Sequence, residues 1–128
     1  MDLSNTLVKD IMTKAIISVP PETNLFQVAK MMEQGSIGAI LVKKNGQPDG
    51  IVTDRDYAIR IAVQKHPLDT QVQKVASYPL YTIPASESIL SAAKAMSAKK
   101  IRKLVAVENG KVVGIITSTD LVNHLAKI

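Results

Sequence analysis

The chain contains no cysteine and no tryptophan, and it has only four aromatic side chains. Without cysteine it can form neither a disulfide framework nor a thiolate zinc site or nucleophile. Four separate rings are too few for a platform that stacks single-stranded nucleic acid. No apolar run approaches the roughly 18 residues of a membrane span, and the first residues lack the pattern of a secretory leader. We therefore expect a cytoplasmic protein with no membrane partner.

Motifs of common enzymes are also missing. We find no Ser-His-Asp order, HExxH, GxSxG or phosphate-binding GKT or GKS. His66 and His124 have no neighbouring histidine or cysteine at metal spacing, and Asp54 and Asp56 should point to different faces of a helix start. We predict no catalytic residue, no metal site and no cofactor, and an enzyme acting on a nucleotide is the disfavoured alternative.

The charge of the chain is basic. Sixteen Lys and Arg stand against 11 Asp and Glu in 128 residues, for a net charge of +5, and 46% of the residues are hydrophobic. This composition is ordinary for a globular domain with a core. A positive balance is compatible with three kinds of partner: a nucleic acid, an anionic membrane surface or a phosphorylated small molecule.

The second half of the chain repeats the first at an offset of 64 positions, without a gap. "GIVTDRDY" at 50–57 returns as "GIITSTDL" at 114–121, and an Asn-Gly pair at 45–46 returns at 109–110. Two copies are too few for a solenoid, so a pseudo-two-fold pair is predicted. We assign residues 1–66 to the first repeat with an N-terminal helix, and residues 67–128 to the second with a linker.

Each copy shows the same pattern of predicted elements. An extended segment ends at a proline, a helical spacing of apolar residues follows, two strands flank the Asn-Gly pair, and an amphipathic helix closes the unit. The pattern predicts an α+β fold of two β-α-β-β-α repeats packed about a pseudo-two-fold axis. The predicted core positions of the two first helices are Leu25, Val28, Ala29 and Met32, and Ile89, Ala92, Ala93 and Met96.

This order, with the repeated Gly-Ile-x-Thr-x-x-Asp motif, resembles the CBS domain, and the 64-residue pairing resembles the tandem pair called a Bateman module. The resemblance spans about residues 8 to 127. It implies a stand-alone sensor that binds an adenine nucleotide and signals to an unidentified regulated protein. It also implies that the Asp of each motif binds ribose, that the Thr lies near phosphate or ribose, and that adenine lies along the first strand of the partner repeat.

The Thr-x-x-Asp pattern also has a purely structural interpretation. A threonine before a helix is a good N-cap, and an acidic residue three positions later completes a capping box. A helix start with free N–H groups also favours phosphate, and a carboxylate can accept ribose hydroxyls. Both interpretations can hold together.

The two copies differ most at the start of the central strand, where the second copy is cationic. Lys99 is expected to face solvent after a helix end, whereas the other cations resemble phosphate clamps of adenylate-binding CBS pairs. The resemblance therefore implies a primary cleft, which should fill first, of Thr53, Arg55, Asp56, Leu80, Tyr81, Lys100, Arg102 and Lys103. Its secondary counterpart has no cation at those positions and contains Ile16, Ile17, Ser36, Gly38, Ala39, Thr117 and Asp120. Arg55 is equally suited to contacting phosphate and to facing solvent.

The predicted function is adenine-nucleotide sensing, with AMP or ADP preferred over ATP. We also expect a homodimer, because "LVKDIM" near the N-terminus and the closing helices offer apolar faces. Two alternatives remain open at this stage: a basic nucleic-acid-associated protein, and a purely structural dimerisation module.

Overall fold

A computed structural model describes residues 3–128 as an α+β fold with two three-stranded sheets. The strands are β1 (Ser18–Val19), β2 (Ala39–Lys44) and β3 (Gln47–Thr53) in one sheet, and β4 (Thr82–Pro84), β5 (Lys103–Glu108) and β6 (Lys111–Thr117) in the other. The α-helices are α1 (Val8–Ile11), α2 (Leu25–Gly35), α3 (Asp54–Asp56), α4 (Ile89–Lys99) and α5 (Ser118–Ala126). A π-helical segment (Tyr57–Ile61) continues α3, and a 3-10 turn (Val72–Lys74) precedes β4. Within this described range, no helix is long and apolar enough to cross a membrane.

Both sheets have the same topology and the same register. The first strand runs parallel to the central strand, which pairs antiparallel with the third. Leu41 lies opposite Ile51, and Val105 lies opposite Ile115, 64 positions further on. Each central strand also carries an irregularity at the same place, after Val42 and after Ala106. The predicted β-α-β-β-α order and the α+β class are therefore confirmed.

The two Asn-Gly pairs form two-residue hairpin turns. Asn45 and Gly46 have φ angles of 53° and 79°, and Asn109 and Gly110 have 52° and 76°. A tight hairpin whose twist matches its strands requires positive φ at both central positions, and Asn and Gly tolerate this conformation best. The predicted hairpins are confirmed.

The helix that follows each first strand buries the predicted apolar positions. Asn24 and Ser88 cap α2 and α4, each accepting a hydrogen bond from the backbone N–H three residues later. The N-cap thus sets where each helix begins and which side chains face the core. The fully or nearly buried residues are Leu25, Val28 and Met32 in α2, and Ile89, Ala92 and Met96 in α4, whereas Ala29 and Ala93 are half-buried.

The closing helices follow the predicted pattern less closely. Ile61 is buried at 4% exposure and Tyr57 is half-buried, but the segment between them is π-helical rather than α-helical. In α5, Leu121 packs against the core, while Leu125 keeps 41% of its surface exposed. The i, i+4 apolar spacing therefore predicted a helix in both places but not its local geometry.

The contacts divide the described residues into two compact units that do not follow the division at residue 66. One unit is residues 17–80, and the other joins residues 3–16 to residues 81–128. Residues 3–16, which precede β1, therefore pack with the helices and strands of the second repeat. The residues between the repeats, up to residue 80, pack with those of the first.

Backbone hydrogen bonds hold each of these segments against the other repeat, and the bonds are equivalent in the two units. In one unit, the Val8 N–H donates to the Glu87 carbonyl at 2.8 Å, and Thr13 exchanges backbone hydrogen bonds with Ile115. In the other, the Val72 N–H donates to the Thr23 carbonyl at 2.7 Å, and Ser77 exchanges the same pair with Ile51. Each segment thus extends the edge of a sheet beyond its third strand.

The apolar residues of the N-terminal segment take part in this packing. Val8 is completely buried in the core of the unit that contains residues 81–128, and Ile11 and Met12 pack against the same core. Val8 is therefore covered by its own chain, whereas Ile11 and Met12 are half-buried, and for them the predicted apolar face of "LVKDIM" stays a prediction.

Candidate ligand site at the two Thr-x-x-Asp motifs

The first motif forms a closed set of hydrogen bonds between the end of β3 and the start of α3. The Asp56 N–H donates to Thr53 Oγ1 at 3.2 Å, and the Thr53 N–H donates back to Asp56 Oδ2 at 2.8 Å. The Thr53 hydroxyl donates to the same carboxylate oxygen at 3.0 Å. The capping-box interpretation is therefore confirmed here.

The second motif forms the same box with one contact fewer. The Asp120 N–H donates to Thr117 Oγ1 at 3.1 Å, and the Thr117 N–H donates to Asp120 Oδ2 at 2.9 Å. Both residues are half-buried at the start of α5. The box holds each carboxylate in a defined position beside a helix start, which is the arrangement that recognition of a polar ligand needs.

Arg60 makes a contact in the first motif that the sequence analysis missed. Its guanidinium lies 3.4 Å from Asp56 Oδ1 and also donates a hydrogen bond to the Val75 carbonyl. The side chains of Arg60 and Asp56 are 35% and 22% exposed, so the pair is partly shielded from water. The i, i+4 spacing of an acid and a base on a predicted helix was the available indication.

The Asp54 carboxylate lies close to Gly38, at one of the positions where the two repeats differ. A Cβ atom added at Gly38 would lie 2.9 Å from Oδ2 of Asp54, whose N–H donates to the Gly38 carbonyl at 3.0 Å. The equivalent positions in the second repeat are Arg102 and Ser118, joined by the same backbone hydrogen bond at 2.9 Å. A larger residue at position 38 would require the Asp54 carboxylate, the end of an exposed side chain, to shift, whereas position 102 carries an arginine.

The basic stretch lies next to the second motif. Lys103 is the partner of Thr117 in the β5–β6 register, and the Arg102 backbone carbonyl accepts a hydrogen bond from the Ser118 N–H. Lys100 ends α4 in the left-handed conformation with φ of 55°, and Ser36 ends α2 in the same way with φ of 50°.

In the first unit, Ala39 is the partner of Thr53 in the β2–β3 register. The structure thus brings Arg102 and Lys103 together with Thr117, and Gly38 and Ala39 with Thr53. The predicted grouping of the cations with Thr53 and Asp56 joins residues of two separately described units and stays a prediction.

The predicted base-binding residues lie just before the first strand of each repeat. Tyr81 is 51% exposed, and the Lys99 ammonium lies 5.5 Å from the centre of its ring. Lys99 is exposed as expected, but it also covers an aromatic face. The Tyr81 and Ile17 carbonyls each accept the N–H of a central-strand residue at 2.9 Å. Leu80 and Ile16 are half-buried, and Arg55 is exposed.

Tyr57 supports the first motif from inside its unit. Its hydroxyl donates to the Leu25 carbonyl at 2.5 Å, which ties the π-helical segment to the first turn of α2. Burial raises the pKa of Tyr57 to about 12. Across residues 3–128, no group of three or more His, Asp or Glu side chains is arranged to hold a metal ion.

The fold and the paired motifs define a tandem α+β repeat in which each repeat has one aspartate carboxylate in a helix capping box. The sequence profile of the CBS domain matches residues 8–62 and 72–127, so the chain belongs to the CBS domain family and contains two copies of the domain. CBS pairs are commonly regulatory modules that bind small-molecule ligands, and stand-alone CBS proteins are generally non-catalytic.

Similar proteins include one curated relative of nearly the same length. The CBS domain-containing protein YhcV of Bacillus subtilis is 35% identical over 120 residues, which are 93% of this chain and 86% of that protein. The chain spans only 55% and 65% of two archaeal relatives that are 34% and 33% identical.

Two solved structures are similar over almost their whole length. An uncharacterized conserved protein from Pyrococcus horikoshii has a TM-score of 0.91 at 27% identity, with 98% of this chain and 95% of that chain covered. The CBS domain pair of protein MJ0100, solved in complex with 5′-methylthioadenosine and S-adenosyl-L-methionine, has a TM-score of 0.85 at 26% identity, with 95% and 97% covered.

Proposed function

We propose that the chain is a regulatory module that binds an adenine nucleotide, with AMP or ADP preferred over ATP, and reports its presence to another protein. The observation that carries the proposal is the fixed carboxylate at the start of the closing helix in each repeat, Asp56 and Asp120. The similar pair of protein MJ0100 supports it, because both of its ligands contain an adenosine group.

The chemistry of the motif suits a ribose. An ionised carboxylate is an acceptor with two oxygens, and neighbouring 2′- and 3′-hydroxyls are donors that it can bind together. Its pre-formed position lowers the cost of ordering the site when ligand binds.

The basic stretch suits a phosphate. Arg102 and Lys103 stand at the start of β5, and Arg102 is exposed. Hydrogen bonds between such cations and a phosphate are stronger than those between neutral groups. We retain the predicted clefts as part of this proposal, with Leu80 and Tyr81 near one base, Ile16 and Ile17 near the other, and Lys100 as a further cation.

A thermal-shift panel tests this function directly. The probes are AMP, ADP, ATP, adenosine, S-adenosylmethionine, GMP and a short DNA duplex, each with the full chain. A ligand at about 100 times its dissociation constant adds roughly 2.7 kcal/mol to the free energy of unfolding. We expect AMP and ADP to raise the melting temperature most and GMP to leave it unchanged.

Two results contradict the proposal. A response to the duplex alone supports the nucleic-acid-associated alternative, and its strength should then fall steeply with salt. No response to any probe favours the purely structural module. A response to S-adenosylmethionine without AMP or ADP retains adenosine binding but overturns the preference for a phosphorylated ligand.

We also propose a homodimer that buries the exposed apolar side chains of the closing segments. Ile59 and Val63 in one unit and Val122 and Leu125 in the other are between 41% and 74% exposed. Large apolar surface that stays in water is a common mark of an interface. Light scattering should give twice the chain mass of 13.8 kDa. A monomer mass at all concentrations contradicts this assembly.

A further inference from the structure

The two aspartates of the paired motifs are not equally available to a ligand. Asp56 Oδ2 accepts two hydrogen bonds from Thr53, one from its N–H and one from its hydroxyl, and Asp56 Oδ1 faces the Arg60 guanidinium. Asp120 Oδ2 accepts one hydrogen bond, from the Thr117 N–H. Among residues 3–128, the ion pair of Asp56 with Arg60 has no counterpart between Asp120 and position 124, which is a histidine.

A count of acceptor positions shows what this difference means. A carboxylate offers about four lone-pair positions, two on each oxygen. Asp56 accepts two hydrogen bonds on Oδ2 and forms an ion pair with Arg60 through Oδ1, at 3.4 Å, whereas Asp120 accepts one hydrogen bond, on Oδ2. A ribose that presents its 2′- and 3′-hydroxyls needs two. Asp120 can accept both hydroxyls as it stands, and Asp56 cannot without losing a contact.

The residue that creates the difference is Arg60. Position 124, its equivalent in the second repeat, is a histidine. Arg60 is held in place by a hydrogen bond from its guanidinium to the Val75 carbonyl. His124 makes no hydrogen bond or ion pair through its side chain among residues 3–128. The first motif therefore carries its own cation on its carboxylate, and the second does not.

We propose that Arg60 occupies the carboxylate of Asp56 in place of a ribose, so that the nucleotide binds first at Asp120. This inference rests on the proposed function, and it deepens that function by assigning the order of the two motifs. The sequence comparison ranked the Asp56 cleft first from the positions of the cations alone. The hydrogen bonds of the two carboxylates rank them in the opposite order.

Titration calorimetry with adenosine and with AMP tests the proposal on the full chain. Adenosine isolates the ribose contacts from those of the phosphate. We expect wild type to bind one ligand per chain tightly, Asp120→Asn to lose that binding by about tenfold or more, and Asp56→Asn to retain it. Tenfold is the loss expected from one charge-assisted hydrogen bond.

Arg60→Gln is the decisive variant, because it removes the guanidinium and keeps a similar stem. We expect it to strengthen binding at the first motif by about two- to fivefold, so that a second ligand per chain appears in the titration. Lys74→Gln removes the same charge from an exposed position of the same unit and should change neither affinity nor stoichiometry. His124→Arg places the cation beside Asp120 and should weaken the first binding event.

The outcomes separate this inference from the function on which it rests. If wild type binds one ligand and Arg60→Gln still binds one with unchanged affinity, the role of Arg60 is overturned while nucleotide binding stands. If Asp56→Asn rather than Asp120→Asn removes the tight site, the proposed order is reversed. If neither wild type nor any folded variant binds adenosine or AMP, both proposals fail. Thermal unfolding of each variant shows that it is folded before it is titrated.

Discussion

At the scale of single residues, the glycine that opens each motif is required by close packing rather than by a turn. A Cβ atom at Gly114 would lie 2.6 Å from Met12 Sδ and 2.8 Å from the Thr13 carbonyl oxygen. A Cβ atom at Gly50 would lie 2.5 Å from the ring of Tyr78. All three distances are shorter than an ordinary contact, so each segment packs on its sheet edge only because the glycine has no side chain.

Gly114→Ala should lower the free energy of unfolding by about 1 to 3 kcal/mol, because a backbone oxygen has little room to move aside. Gly50→Ala should cost less, since the Tyr78 side chain is 44% exposed and can shift. Gly35→Ala is the control, because its Cβ would meet Ile37 at an ordinary 3.5 Å in a helix. It should be neutral or stabilise by about 0.5 kcal/mol. Urea unfolding of the three variants gives the ranking, and equal losses contradict it.

The pKa of Tyr57 predicts a loss of stability at high pH. The folded protein holds this pKa at about 12, above the ordinary value of 10.0, because the ring is half-buried. The stabilisation is complete below about pH 10 and disappears as the pH rises through the folded pKa, since the unfolded chain releases this proton first. The unfolding free energy of wild type should fall more than that of Tyr57→Phe between pH 10 and 12. Parallel pH profiles contradict the assignment.

At the scale of elements, α1 and the 3-10 turn are equivalent parts with different secondary structure. Val8 in α1 and Val72 in the 3-10 turn stand 64 positions apart, and both are completely buried. The Val8 N–H donates to the Glu87 carbonyl, just before α4, and the Val72 N–H donates to the Thr23 carbonyl, just before α2. The valine is thus buried in the same way at both positions, although it lies in an α-helix at position 8 and in a 3-10 turn at position 72.

Val8→Ala and Val72→Ala should each lower the free energy of unfolding by about 2 kcal/mol, because each removes two buried carbon atoms and leaves a cavity. Val8→Ala should speed hydrogen exchange of the β6 amides, in the unit that contains residues 81–128. It should leave exchange of the β3 amides, in the unit of residues 17–80, unchanged. Leu68→Ala, at a position 54% exposed and outside the proposed dimer interface, is the control and should be close to neutral. Faster exchange in β3 alone for Val8→Ala contradicts the observed packing.

At the scale of the whole molecule, each compact unit is completed by a segment from outside its own repeat. Residues 70–80 supply Val72 and Val75 to the core of the unit of residues 17–80, and both side chains are at most 2% exposed. A fragment that ends at residue 66 therefore lacks two core side chains and the strand edge at Ser77. A unit of this size has little core to lose.

Two fragments of similar length test this dependence. Residues 1–66 should show no cooperative unfolding transition, whereas residues 17–80 contain a whole unit and should retain more helical circular dichroism and a steeper response to urea. The full chain is the reference for both. A cooperative transition in residues 1–66 of the same steepness as in residues 17–80 contradicts the exchange of segments.

The sequence by itself determined the features that depend on neighbouring residues. The 64-residue offset predicted the order of the elements, the Asn-Gly pairs predicted the hairpins, and Thr-x-x-Asp predicted the capping boxes. Each of these is a local rule, because the partners stand two to four positions apart and meet whenever the helix or turn forms.

Only the tertiary structure decided which distant residues meet. The packing of Val8 beside Glu87, of the Asp54 carboxylate against Gly38, and of Arg60 against Val75 joins residues between 15 and 79 positions apart. No propensity or spacing rule reaches across such separations, because the contact exists only after the sheets and helices have packed. The hydrogen bond from Arg60 to the Val75 carbonyl is one of these contacts, and it holds the guanidinium that also pairs with Asp56.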